Sequence, residues 1–326
     1  IINGYDDGLL QASPLKHPWA REIFKGMQKN NWVAEEISFQ KDKEQWESNE
    51  LTEQEKTTFL RALAFASNLD GLLVNSLSEV IKPHLTSPEV TLAVARQIYE
   101  ECLHVDSYSC MIEAVGLDPD EVYGLYRQDK QLYYKNKRVL ESMYKINTPD
   151  FTTETFEGGQ GFIEACTTNL IFEGIFFFSA FLVFYNFGRH NKMPGSKEMI
   201  QFINRDEDLH VRLFVNIINS IKEEQPELWT QDLQDRMRQN ILDAVEMEIE
   251  WGVSCIGEGI LGITPVMLSD YIKFIGDMRL DGIGLGTSYN VENPFPWLDE
   301  FTQSNMIETN FFEGTVREYQ SGSLEW

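Results

Sequence analysis

Cysteine is scarce in this chain. Four occur among 326 residues, at positions 102, 110, 166 and 255, and no two form a C-x-x-C pair. That pattern excludes a disulfide-stapled fold. It reads as reduced thiols, mostly small buried hydrophobes in apolar helical patterns, in a cytoplasmic protein. Positive charge is also short: 27 Lys and Arg stand against 52 Asp and Glu, for a net charge of −25. Nucleic acid and anionic membrane surfaces are therefore excluded as main partners. Part of that acidity is expected to bind cations rather than face solvent. Residues 1–10 carry two aspartates and no basic segment, so no signal peptide is expected, and the absence of an initiator methionine before Ile1 fits a trimmed start. The most apolar run, Leu170 to Tyr185, is short for a membrane span and contains Glu173, which points to a fully buried helix. No repeat of 20 to 50 residues, no phosphate-binding glycine loop and no convincing strand alternation is present.

What is present is a series of long helical patterns with clear punctuation. After an irregular start, a first helix is expected over about 19–30, followed by a mostly extended polar connection with short helical turns to residue 51. Thr52-Glu53-Gln54-Glu55 is a capping box opening a helix over about 53–81, which Pro83 stops. Ser87-Pro88-Glu89 opens another, to about Val115, with Gly116 beyond its end. Further helices are expected over about 118–145, 153–187, 194–223, 226–257 and 265–279, with Gly158-Gly159 delaying the start of the second of these. The reading is all-α: one large helical domain over residues 1–312 and a loose tail over 313–326, rich in Gly, Ser and charge.

Two of these helices carry Glu-x-x-His: Glu101 with His104, and Glu207 with His210. Residues three apart share a helix face, and Tyr108, four beyond His104, stays on that face. Two other helices each place one acid where an apolar residue belongs. These are Asp70 in Ser67-Asn68-Leu69-Asp70-Gly71 and Glu173 in Phe172-Glu173-Gly174-Ile175-Phe176-Phe177. A lone buried carboxylate is costly unless paired or metal-bound. One Glu-x-x-His in so acidic a chain is an ordinary accident, and a histidine on an apolar helix is usually a satisfied core residue. Two such pairs with two isolated acids form the inventory of a carboxylate-bridged two-metal site in a ferritin-like four-helix bundle, here with additional helices around it. Bridging carboxylates would neutralise two divalent cations, and one imidazole per metal would leave positions open for an oxygen species. Such a ligand set suits iron, manganese or one of each. His17, His84 and His190 lack this setting and read as loop or capping residues.

These motifs, together with Asn31-Trp32-Val33-Ala34-Glu35-Glu36 and Arg205-Asp206-Glu207-Asp208-Leu209-His210, closely resemble the small, radical-generating subunit of class I ribonucleotide reductase. The resemblance runs from about Pro18 to the tail, and the intervals agree too: Asp70 precedes Glu101 by 31 positions and Glu173 precedes Glu207 by 34. It implies that Asp70, Glu101, His104, Glu173, Glu207 and His210 bind two metals and that Tyr108 carries a stable radical. It implies a pocket of Phe177, Phe181 and Ile203 around that radical, and a transfer chain of His104, Asp206 and Trp32 continued by Tyr319 in the tail. It also implies a homodimer and a large-subunit partner that reduces ribonucleotides, on which the tail docks through Leu324 and Trp326.

Plainer readings exist for several of these residues. From sequence alone Phe177, Phe181 and Ile203 read first as plain core packing, Trp32 reads as a core anchor at a helix end and Asp206 as a surface acid. Tyr108 reads equally as a buried tyrosine bonded to a carboxylate. At the level of the whole chain the alternatives are three. Another ferritin-like two-metal oxidase would keep the six ligands and need a substrate channel. Iron-storage or peroxide-detoxifying bundles are usually shorter. A helical scaffold would leave six buried ionisable groups unexplained.

Overall fold

In a computed structural model, which describes residues 1–5 and 8–298, the chain is built from helices. They are α1 (Pro18–Lys29), α2 (Gln40–Glu47), α3 (Glu53–Asn75), α4 (Pro88–Val115), α5 (Pro119–Gln128), α6 (Lys130–Met143), α7 (Phe156–Ile171), α8 (Phe178–Arg189), α9 (Pro194–Glu224), α10 (Gln231–Ile256) and α11 (Pro265–Gly282). Among the described residues the β pairing is one isolated bridge, Ile260 with Ile263. The boundary at residue 312 and the tail beyond it lie outside the described residues.

The core is a bundle of α3, α4, α7–α8 and α9. α3 packs on α4 and α8, and α9 on α4, α7 and α8. α1 and α2 cover α4 and α9, α5 covers α3, and α10 with α11 closes the far side. α7 and α8 form one long apolar helix, Phe156–Arg189, joined by a π segment, Phe172–Phe176. Its most apolar stretch is long and apolar enough to cross a membrane, yet it is wholly buried by the other helices and is the core helix of the bundle. Phe177, Phe181, Phe184 and Phe187 are each almost fully enclosed. Each such ring contributes roughly 1.5–3 kcal/mol by leaving water, so this helix anchors the fold.

Several starts follow the local chemistry. Thr52 Oγ1 accepts from Glu55 N (3.2 Å) while Thr52 N donates to Glu55 Oε2 (2.7 Å), completing the capping box of α3. α4 closes on Gly116, with Leu117 N bonded back to Ile112 O at 3.0 Å.

Other expectations need correction. The connection before α3 contains a true helix, α2, that has no apolar stripe to announce it. It is fixed instead by Asp42, whose oxygens accept from Gly195 N (2.8 Å) and Ser196 N (2.7 Å), capping the distant start of α9. The segment after Asp118 is two helices. Asp129 ends α5 and caps α6, accepting from Gln131 N (3.0 Å) and Leu132 N (3.2 Å), and is itself held by Arg61 Nε at 3.1 Å. α7 begins before Gly158, capped by Thr155. Gly158 is there because a Cβ would fall 1.8 Å from Thr152 O. Pro226 opens only a short turn, and α10 starts at Gln231 behind the Thr230 cap. The cysteines are all unpaired, but Cys102 is exposed and Cys110 half-buried, and only Cys166 and Cys255 are buried. His17 and His190 flank α1 and α8, and His84 ends a short turn, its ring edge-on to Phe151 and Phe162.

Candidate metal centre

The four bundle helices bring Asp70, Glu101, His104, Glu173, Glu207 and His210 together at the centre of the core, each no more than 1% exposed. α3 supplies Asp70, α4 supplies Glu101 and His104, the π segment supplies Glu173, and α9 supplies Glu207 and His210. They form two overlapping groups, Asp70–Glu101–His104–Glu207 and Glu101–Glu173–Glu207–His210, in each of which the candidate ligand atoms lie within 4.8 Å of one another. Glu101 and Glu207 belong to both groups, so each can bridge.

Both histidines turn Nδ1 inward. His104 Nδ1 faces Glu207 Oε1 (3.2 Å), Glu101 Oε2 (3.6 Å) and Asp70 Oδ2 (3.8 Å). His210 Nδ1 faces Glu207 Oε2 (2.7 Å), Glu101 Oε1 (3.1 Å) and Glu173 Oε2 (3.6 Å). Both turn Nε2 outward to a carboxylate: His104 to Asp206 Oδ2 at 3.3 Å and His210 to Glu100 Oε2 at 3.0 Å. A metal-binding imidazole commonly donates its second N–H in this way, which fixes its tautomer and orientation.

The buried ligand atoms are not all satisfied by the protein itself. Asp70 Oδ1 and Oδ2, Glu101 Oε2, His104 Nδ1, Glu173 Oε2 and Glu207 Oε1 are buried with no hydrogen-bond partner. Buried polar atoms are rarely left so. Burial and the adjacent Glu101 push Asp70 well above the usual carboxylate range. Burial, with Glu101 and Glu207, does the same to Glu173. Glu207 is held low against its burial by His210 and His104. Both imidazoles are raised, against burial, by the carboxylates they touch. The donor set of four carboxylates and two imidazoles therefore fits two divalent ions of the iron or manganese type.

The other expected residues fall around this cluster. Asp206 is buried, so it is no surface acid, and it accepts from Trp32 Nε1 at 2.7 Å. Trp32 is buried too, its ring stacked near His104 with centroids 6.3 Å apart. Trp32, Asp206 and His104 are thus joined. Tyr108 is fully buried and its hydroxyl has no hydrogen-bond partner, which disagrees with a tyrosine that merely bonds a carboxylate. Burial and the charges of Asp70, Glu207 and Glu101 hold its hydroxyl protonated well above the usual range. Phe177 and Phe181 stack at 5.5 Å, and Ile203 is buried one turn before Glu207. Tyr319 lies outside the described residues.

Sequence reasoning missed two residues. Glu100 holds His210 and is held in turn by Arg96 Nε at 3.0 Å. Gln97 Nε2 donates to Glu173 Oε1 at 2.6 Å. Arg96 four before Glu100, and Gln97 four before Glu101, are the helical spacings that could have revealed them.

Fold and site together define a ferritin-like protein with a dinuclear carboxylate–histidine centre. Residues 9–294 match the profile of the family described as ribonucleotide reductase, small chain. The chain is 39% identical over 328 residues to the ribonucleoside-diphosphate reductase subunit beta of Chlamydia pneumoniae, covering all of this chain and 94% of that protein. It is similar to the ribonucleotide reductase R2 subunit from Clostridium botulinum, with a TM-score of 0.86, 32% identity and 93% of each chain covered. An R2-like ligand-binding oxidase shares the fold, with a TM-score of 0.69 over 87% of this chain and all of that one, at 19% identity. The chain belongs to the ribonucleotide reductase small-chain family. It is an oxidoreductase subunit whose family works with a large subunit.

Proposed function

We propose that Asp70, Glu101, His104, Glu173, Glu207 and His210 hold two ions of iron, manganese or one of each, and that Tyr108 stores a radical for ribonucleotide reduction by the large subunit. The observation that carries this reading is the pair of overlapping groups of buried ligand atoms, six of their atoms unpartnered, one helical turn from a fully buried phenol whose hydroxyl has no partner. When bound, the metal pair with an oxygen species supplies a strong one-electron oxidant.

The chain does the rest. Glu101 and Glu207 reach both halves, and Asp70 and Glu173 close the two ends. Asp206 and Glu100 hold the Nε2 protons of His104 and His210, leaving Nδ1 free to coordinate. Tyr108 would lose one electron and its hydroxyl proton to that oxidant. Its burial, with Phe177, Phe181 and Ile203 as the apolar lining, keeps water and reductants from the phenoxyl group. As the radical moves outward, Trp32 gives an electron inward to the Tyr108 phenoxyl while its Nε1 proton passes along the 2.7 Å hydrogen bond to Asp206 Oδ2, the oxygen that also faces His104. The tail, 313–326, continues the route through Tyr319 and docks on the large subunit. In this reading residues 1–312 form one domain, the subunit is a homodimer, and it works in the cytoplasm.

Electron paramagnetic resonance of metal-loaded protein exposed to its oxidant tests the reading. A tyrosyl signal is expected, lost in Tyr108→Phe at unchanged metal content. A signal that survives Tyr108→Phe overturns the assignment of Tyr108. Protein that loads two metals, gives no tyrosyl signal and supports no nucleotide reduction is another kind of two-metal oxidase.

A further inference from the structure

Glu173 differs from the other five candidate ligands in the backbone that carries it. It sits in the π segment, where the helix takes in an extra residue and the usual carbonyl pairing is disturbed. Two buried cations from outside the bundle meet that backbone. Arg279, on α11 and 8% exposed, donates from Nε to Gly174 O at 2.9 Å. Lys135, on α6 and 2% exposed, lies 3.4 Å from Phe176 O and is paired with Glu248. Glu248 in turn accepts from Ser179 N, at the start of α8, at 3.1 Å. Gly174 leaves room for this: a Cβ there would lie 2.6 Å from Arg279 Nε. Burying a guanidinium and an ammonium is costly, and burial, only partly offset by Glu248, lowers the Lys135 ammonium to about 8. A carbonyl of an ordinary helix needs no such donors.

We infer that Arg279 and Lys135 are positioning residues that fix the π segment so that Glu173 faces His210, and that they set the metal affinity of the His210 half separately from the His104 half. Glu173 belongs only to the group containing His210, so a fault in its backbone acts on one half. The inference rests on the reading of the cluster as a metal centre.

The test is titration of the metal-free full chain with Mn(II), free ion being read by its magnetic resonance signal. The unaltered chain binds two ions. Arg279→Met binds one as before and the second about 10-fold or more weaker, the scale of losing an outer partner of a metal ligand. Arg279→Lys, which keeps a cationic donor, recovers most of the loss. The loss persists in a His104→Ala background and vanishes in a His210→Ala background. If Arg279→Met fails to fold by circular dichroism, Gly174→Ala and the double variant Lys135→Met/Glu248→Gln are read instead, with the same selective loss expected. Equal weakening of both ions, or none, overturns the inference and leaves the metal centre standing. No binding by the unaltered chain overturns the metal centre and the inference with it.

Discussion

The two histidines of the centre begin alike and end differently. Each aims Nδ1 at the shared acids and Nε2 at a buried carboxylate. Behind His104 that carboxylate is Asp206, whose Oδ2 also accepts from the indole of Trp32. Behind His210 it is Glu100, bonded by Arg96, whose guanidinium goes on to Met27 O at 3.3 Å and Asn31 Oδ1 at 3.4 Å. An indole can lose an electron and a proton, whereas a guanidinium keeps both and neutralises the acid it touches. In the function proposed above, the same device would serve two purposes: on the His104 side it would open a route out of the core, and on the His210 side it would close one.

The largest expected effect breaks both sides at once. Glu207 belongs to both groups of ligands, so Glu207→Ala should leave no tightly bound metal and no radical, measured by elemental analysis and resonance. Removing only the charge of one outer acid should separate the sides. Asp206→Asn keeps the shape but not the proton acceptor, and turnover with the large subunit should fall by about 10²-fold, as for loss of a positioned proton carrier, while the Tyr108 radical persists. Either change should also weaken the ion on its own side by roughly 10–100-fold, but Glu100→Gln should leave turnover near normal once both ions are loaded.

The Lys135–Glu248 pair shows how a buried ion pair behaves away from the centre. Burial lowers Lys135 from 10.5 to about 8 in the folded protein. Between those values the unfolded chain binds more protons than the folded one, so this group makes stability rise with pH across that window. Relative to Lys135→Met/Glu248→Gln, the metal-free protein should gain roughly 3 kcal/mol at most from pH 8 to above 10.5, read from denaturant midpoints at each pH. A difference that stays flat with pH would show that the ammonium is not desolvated.

How much of this was legible in the sequence depends on whether its cause is local. The helix starts at Thr52 and Pro88 are, because capping satisfies backbone groups within a few residues. The six acids and histidines of the centre stand out because a carboxylate in an apolar helix breaks the pattern, and the structure brings all six together. α2 was not legible: its reason is Asp42 reaching Gly195 and Ser196, some 150 positions on. The break at Asp129 was hidden because an aspartate amid polar residues looks ordinary until Arg61 of α3 is seen to hold it. Glu100 was masked by Glu101 beside it. The π segment has no marker beyond Gly174, whose missing side chain matters only because Arg279 arrives from another helix.

The contrast between the open and the closed side is tested most directly by turnover with the large subunit in Trp32→Phe and Arg96→Met, both adjusted to equal radical content at Tyr108. Nucleotide reduction should fall to background in Trp32→Phe and stay close to that of the unaltered chain in Arg96→Met. Normal turnover in Trp32→Phe, or an equal loss in both variants, would contradict it.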